Sequence, residues 1–121
     1  MAKNNGPARD SQFSIVSAAT DGIRVLTVRG EIDRATAPDL LKALTPDDDT
    51  TAMRIILDLK DVTFMDSTGI NTLLTAHQTA QRTHGWLRLA APTEAVLRVI
   101  QIVRLDHLIP SYPTLRQALH P

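Results

Sequence analysis

The chain contains no cysteine, which excludes disulfides, thiolate metal sites and cysteine nucleophiles together. It is nearly as poor in aromatics: one Trp, one Tyr and two Phe are too few to build a platform on which bases stack. Neither charge sign dominates. Thirteen basic side chains face thirteen acidic ones, with no basic run, so no nucleic-acid partner is expected. No apolar run approaches the ~20 residues that cross a bilayer. The opening Met-Ala-Lys-Asn-Asn-Gly-Pro lacks the apolar core of a signal peptide. The expectation is a cytoplasmic protein with no membrane partner. What is present is 121 residues, 43% hydrophobic and 21% charged, the composition of one globular domain able to bury a core.

Catalytic patterns are also missing. There is no Gly-x-x-x-x-Gly-Lys phosphate loop, no Gly-x-Gly-x-x-Gly and no Gly-x-Ser-x-Gly elbow. His77, His84, His107 and His120 show no metal-ligand spacing. The run Asp47-Asp48-Asp49 lacks the spaced ligands and glycine of a calcium loop and reads as a solvated turn. The order of elements is similar to that of a receiver domain. That reading fails because the first strand ends without an acidic pair and the only lysines are Lys3, Lys42 and Lys60. No cofactor, metal or catalytic residue is expected.

Periodicity supplies the elements. Residues 1–11 are polar, with Gly6 and Pro7, and read as a flexible tail. Phe13 to Ala19 and Ile23 to Arg29 flank the turn dipeptide Asp21-Gly22 and predict an antiparallel hairpin, with Gly30 stopping the second strand. Asp33 or Thr36 then caps a helix with the stripe Ala37, Leu40, Leu41 and Leu44. Met53 to Leu59 is the strongest strand, central and buried, with Ile55, Leu57 and Leu59 on one face and Ile56 on the other. Asp58 within it must lie near the strand end or find a donor. A helix from near Ile70, with Leu73, Leu74 and His77 on its stripe, closes at Gly85. Trp86 to Ala91 is a strand, and Val96, Val99, Ile100 and Val103 mark a helix beginning at Pro92-Thr93. A short strand within Leu108 to Tyr112 and a helix over Leu115 to Leu119 complete the order β β α β α β α β α. Strands alternating with helices predict parallel pairing, made mixed by the hairpin.

Residues 62–70, Val-Thr-Phe-Met-Asp-Ser-Thr-Gly-Ile, stand at the junction of the strongest strand and the longest helix. Asp66, Ser67 and Thr68 are all helix-capping types, more than one cap requires. Locally the run is either a well-capped helix or one whose Ser67 is a phosphorylation switch. A phosphate there brings a charge of about −1.5 to −2. Free N–H groups and the helix dipole favour it, the neighbouring Asp66 opposes it, and a partner docked over the helix start would be repelled. An enzyme built on Asp66, Ser67 and a histidine is disfavoured, because His77 lies about three helical turns beyond the serine.

Phe64-Met65-Asp66-Ser67-Thr68-Gly69-Ile70 resembles the aromatic/aliphatic-Asp-Ser-Ser/Thr-Gly-Leu/Ile signature of STAS domains, in particular of bacterial anti-sigma factor antagonists. Gly30-Glu31-Ile32-Asp33 is similar to the family's Gly-Glu-Leu-Asp, and Gly85-Trp86-Leu87-Arg88-Leu89 with Pro92 to its Gly-x-Leu-x-Leu-x-x-x-Pro strand. Val96 to Leu108 is similar to its third helix. The resemblance implies an α/β fold: a single STAS domain over 12–121, with a mixed β-sheet of about four to five strands, an N-terminal hairpin and about four helices packed mainly on one face. It also implies a partner that is both anti-sigma factor and serine kinase. Binding it releases a sigma factor, phosphorylation of Ser67 ends the binding, and a serine phosphatase restores it. Thr68 is a less favoured acceptor. Asp33, Asp66, Ser67, Thr68 and Gly69 would form the partner surface, and the free protein would be a monomer. The alternative is a non-sigma STAS scaffold, or a small-ligand or nucleotide-sensing module, in a stress-signalling or lipid-transport complex. Two positions depart from the pattern. Arg104 stands where the family often has glycine, so it must take the left-handed conformation or end the helix differently. Trp86 is unusual and reads as a packing residue.

Overall fold

The computed structural model describes residues 13–46 and 51–121. The expected tail over 1–11 and the run Asp47-Asp48-Asp49 lie outside the described residues. Among these residues, five strands form one sheet in the order β1-β2-β3-β4-β5: β1 Ser14–Thr20, β2 Ile23–Ile32, β3 Arg54–Met65, β4 Trp86–Ala90 and β5 Ser111–Tyr112. β1 and β2 are antiparallel, and every other pair is parallel. Asp21 and Gly22 have φ of 52° and 81°, the paired positive values of the tight turn that matches strand twist.

Among the described residues, four α-helices connect or follow the strands: α1 Ala37–Leu44, α2 Ser67–Arg82, α3 Glu94–Ile102 and α4 Leu115–Leu119. α1, α2 and α3 cover one face, where Leu40, Leu73 and Ile100 meet Ile55, Leu57 and Leu59 of β3. Ile56 points the other way, into a smaller cluster with Val25, Ala90 and Ala118 that α4 covers. The helices therefore lie mainly on one face, with the short C-terminal helix opposite. Trp86 packs at the margin of that second cluster, and the Arg88 guanidinium lies 3.5 Å from its ring centroid.

Several expectations about boundaries are corrected. β2 does not stop at Gly30 but runs to Ile32, because Gly30, at φ 105°, sits at a bulge. β3 runs on past Leu59 to Met65. Two register shifts against β2 give it two extra residues: the first turns Val62 into the core and the second returns the original phase, so that Met65 is buried as well. Simple alternation over Lys60 to Met65 fails for that reason. Asp58, 2% exposed in mid-strand, accepts from the Lys60 backbone N–H at 3.1 Å and from Lys60 Nζ at 3.0 Å.

α2 does not close through a glycine conformation. His84, at φ 62°, takes the left-handed position, and Gly85 N–H donates to Ala80 O at 2.8 Å. Gly85 is required for another reason: a Cβ there would run into the Met53 backbone. The apolar stripes are also narrower than their spacing suggests. Leu41 and Val103 are exposed, and His77 is half-buried beside the true contact line of Gly69, Leu73, Ala76 and Ala80. Arg104 does adopt the left-handed conformation, at φ 59° and ψ 32°.

Candidate functional site

The parallel pairing of β2 and β3 continues to their C-terminal ends, where Ile32 partners Met65 and Asp66 N–H donates to Ile32 O at 3.2 Å. This register brings the two acidic motifs together at the C-terminal end of adjacent strands: Asp33 follows Ile32 and Asp66 follows Met65. Chain direction alone did not dictate that neighbourhood. It follows from two strands about thirty residues apart pairing in parallel, with α1 in the connection between them.

Asp66 is the N-cap of α2. Its backbone is extended, and its Oδ1 accepts from Thr68 N–H at 2.9 Å and Gly69 N–H at 3.2 Å. Ser67 is the first residue of the helix and is exposed, and its hydroxyl finds no hydrogen-bond partner among the described residues. Of the three capping candidates the carboxylate therefore caps, and the serine hydroxyl is left on the surface. This changes the expected electrostatics. Two of the N–H groups expected to receive a phosphate are already held by Asp66. The helix dipole remains favourable, and the adjacent carboxylate is fixed rather than free to swing away.

Thr68 is half-buried, and its carbonyl accepts from Thr72 Oγ1 at 2.9 Å. Gly69 is buried. A Cβ there would lie 2.5 Å from Met65 Cγ and 2.8 Å from Ile32 Cγ2, so the glycine lets the helix start settle onto the two strand ends. It therefore lies beneath the helix start and not on its exposed side. Asp33 accepts through Oδ1 from Ala35 N–H at 2.9 Å and Thr36 N–H at 3.2 Å, organising the turn into α1. Thr36 occupies the N-cap position of α1, yet its hydroxyl donates backwards to Glu31 O at 2.7 Å and makes no cap bond.

One exposed residue near the site was not singled out from the sequence. Phe64 is 48% exposed, three residues before Ser67 and paired in register with Glu31. Its neighbour Met65 points into the core, so the ring stands on the opposite side of β3, and its signal in the sequence was the scarcity of aromatics in this chain. No group of His, Cys, Asp or Glu suited to a metal occurs among the described residues, and no described helix is long and apolar enough to cross a membrane. Chemically the site offers one exposed hydroxyl on a rigid, carboxylate-capped helix start.

A model of the STAS domain matches residues 14–118. The chain is 34% identical over 85 residues to an anti-sigma-B factor antagonist from Bacillus subtilis, covering 69% of this chain and 76% of that one. It is 31% identical over 90 residues to an anti-sigma-B factor antagonist from Listeria monocytogenes, covering 74% and 78% respectively. The crystal structure of an anti-sigma factor antagonist from Mycobacterium paratuberculosis superposes with a TM-score of 0.75 at 31% identity, over 88% of this chain and 91% of that one.

Proposed function

The chain belongs to the STAS-domain family, and from that premise we propose that it is an anti-sigma factor antagonist whose binding is switched off by phosphorylation of Ser67. Its partner is an anti-sigma factor that is also a serine kinase. Docking of that partner over the start of α2 frees a sigma factor, transfer of phosphate to Ser67 dissociates the pair, and a serine phosphatase returns the protein to its binding form. The names of the relatives from Bacillus subtilis and Listeria monocytogenes support the regulatory role.

The observation that carries the switch is the division of labour at the helix start. Asp66 makes the cap, and Ser67 is exposed with a hydroxyl that contributes no bond to the fold. Modifying it therefore leaves the domain intact. The same modification places a dianion beside a fixed carboxylate on the proposed docking surface. A partner has to strip water from that charge and bring its own groups against it, at a cost the free protein does not bear. Asp33, at the neighbouring strand end, extends the surface, and Thr68, half-buried, is the poorer acceptor.

Incubation with the cognate kinase and ATP is expected to label the wild type and spare Ser67→Ala. Equal labelling of both proteins would overturn the assignment of Ser67.

A further inference from the structure

We infer that β1 is a self-association edge, through which two copies of this chain pair antiparallel about Ser17 to make one continuous sheet. β1 ends the sheet, so among the described residues one of its sides has no strand partner. Open edges of this kind invite another strand, and natural edges are usually blunted by charge, proline, bulges or shortness. β1 has none of these. It reads Ser-Ile-Val-Ser-Ala-Ala-Thr over seven residues, pairs with β2 without a register shift, and exposes Val16 to 62%.

The hairpin determines which groups face outward. A two-residue turn makes its flanking pair, Thr20 and Ile23, a hydrogen-bonded pair, and bonded pairs then alternate along the ladder. Ser14, Val16, Ala18 and Thr20 therefore bond to β2, while Ile15, Ser17 and Ala19 turn their N–H and C=O groups outward. These three form a self-complementary set. With Ser17 on a two-fold axis, Ser17 meets Ser17 of the second copy and Ile15 meets Ala19. Three bonded pairs with two bonds each give about six new hydrogen bonds.

The unbonded pairs between them set Val16 against Ala18 and Ser14 against Thr20, all small or β-branched side chains that fit a pleated surface. No like charges meet across the axis, and the chain's zero net charge opposes no approach of a second copy. The pairing is isologous, as a closed dimer requires. It replaces the monomeric free form expected from the sequence. Because β2 separates β1 from β3, the edge lies apart from Ser67.

The test is a charge swap at Ser17, read as molar mass by light scattering across a concentration series of the full chain. The wild type is expected to double its mass with concentration. Ser17→Asp and Ser17→Lys each place like charges on the axis and should stay monomeric. An equimolar mixture of the two should regain the doubled mass. Far-ultraviolet circular dichroism checks that each variant is folded. The proposal is overturned by a wild type that keeps its monomer mass throughout, or by a dimer that both variants retain. It is also overturned if mass doubling appears only after residues 2–11 are removed, since the chain's own N-terminal segment would then be the occupant of the edge.

Discussion

Gly69 and Gly85 are both required for close approach, but against neighbours of different stiffness. At Gly69 the obstacle is the Met65 and Ile32 side chains, which can rotate partly aside. At Gly85 it is the Met53 backbone, held by Trp86 N–H donating to Met53 O at 2.7 Å. Gly69→Ala is therefore expected to cost about 1–3 kcal/mol, and Gly85→Ala more than about 3 kcal/mol, in urea unfolding. The reverse order would contradict the packing account.

A second residue-scale effect concerns Lys60. Its hydrogen bond to Asp58 raises its pKa above the ordinary 10.5. A raised folded-state pKa stabilises while the amine is charged in both states, and the benefit is lost as pH climbs from 10.5 through the folded value. The stability gap between wild type and Lys60→Met should accordingly be flat from about pH 7 to 9 and narrow above about pH 10.5. Urea midpoints measured over that range check it. With its side chain 55% exposed, Lys60 itself gains little from the pair. The gap reflects Asp58, left buried without its cation.

Among the elements, the start of α2 and the end of α3 carry the clearest consequences. Ser67→Asp adds a charge beside the Asp66 cap without removing any bond of the fold. It should shift stability by less than about 1 kcal/mol. If the proposed docking surface is right, it should weaken the anti-sigma factor partner tenfold or more in a direct titration. A large loss of thermal stability would refute the claim that the phosphate acts on the partner rather than on the helix.

At the end of α3, Arg104 holds a left-handed backbone that costs a side chain about 1–2 kcal/mol. Glycine removes that cost while adding about 0.5–1 kcal/mol of backbone entropy. Arg104→Gly should therefore be neutral or stabilising by up to about 1.5 kcal/mol in thermal unfolding, whereas the same exchange in mid-helix would destabilise. The stripes of α1 and α3 are a more general lesson. Leu41 satisfies helical spacing yet stays exposed, because spacing selects a face and the neighbouring element decides how much of it is covered, and Val103 is exposed where the helix has already ended at Ile102.

For the molecule as a whole, the order of elements, the hairpin, the central place of β3 and the two faces of Ile55 and Ile56 were legible, since each follows from local periodicity and turn chemistry. The helix start at Ser67 was legible as a motif. What was not legible came from relations between distant segments. The bulges that carry β3 on to Met65 exist because β2 and β3 keep pairing past Gly30. Gly85 was read as a helix terminator because nothing nearby in the chain reveals that Met53 passes against it. α4 covers the second face because Val25, Ile56 and Ala90 converge there from three strands. The sequence by itself determined which residue types could cap or pack, since those properties belong to side chains and their immediate neighbours. Only the tertiary structure decided which of them does so. Asp66 takes the cap bonds, Gly69 sinks beneath the surface, and Ser67 is left exposed, because the parallel register of β2 and β3 presses the start of α2 onto Ile32 and Met65.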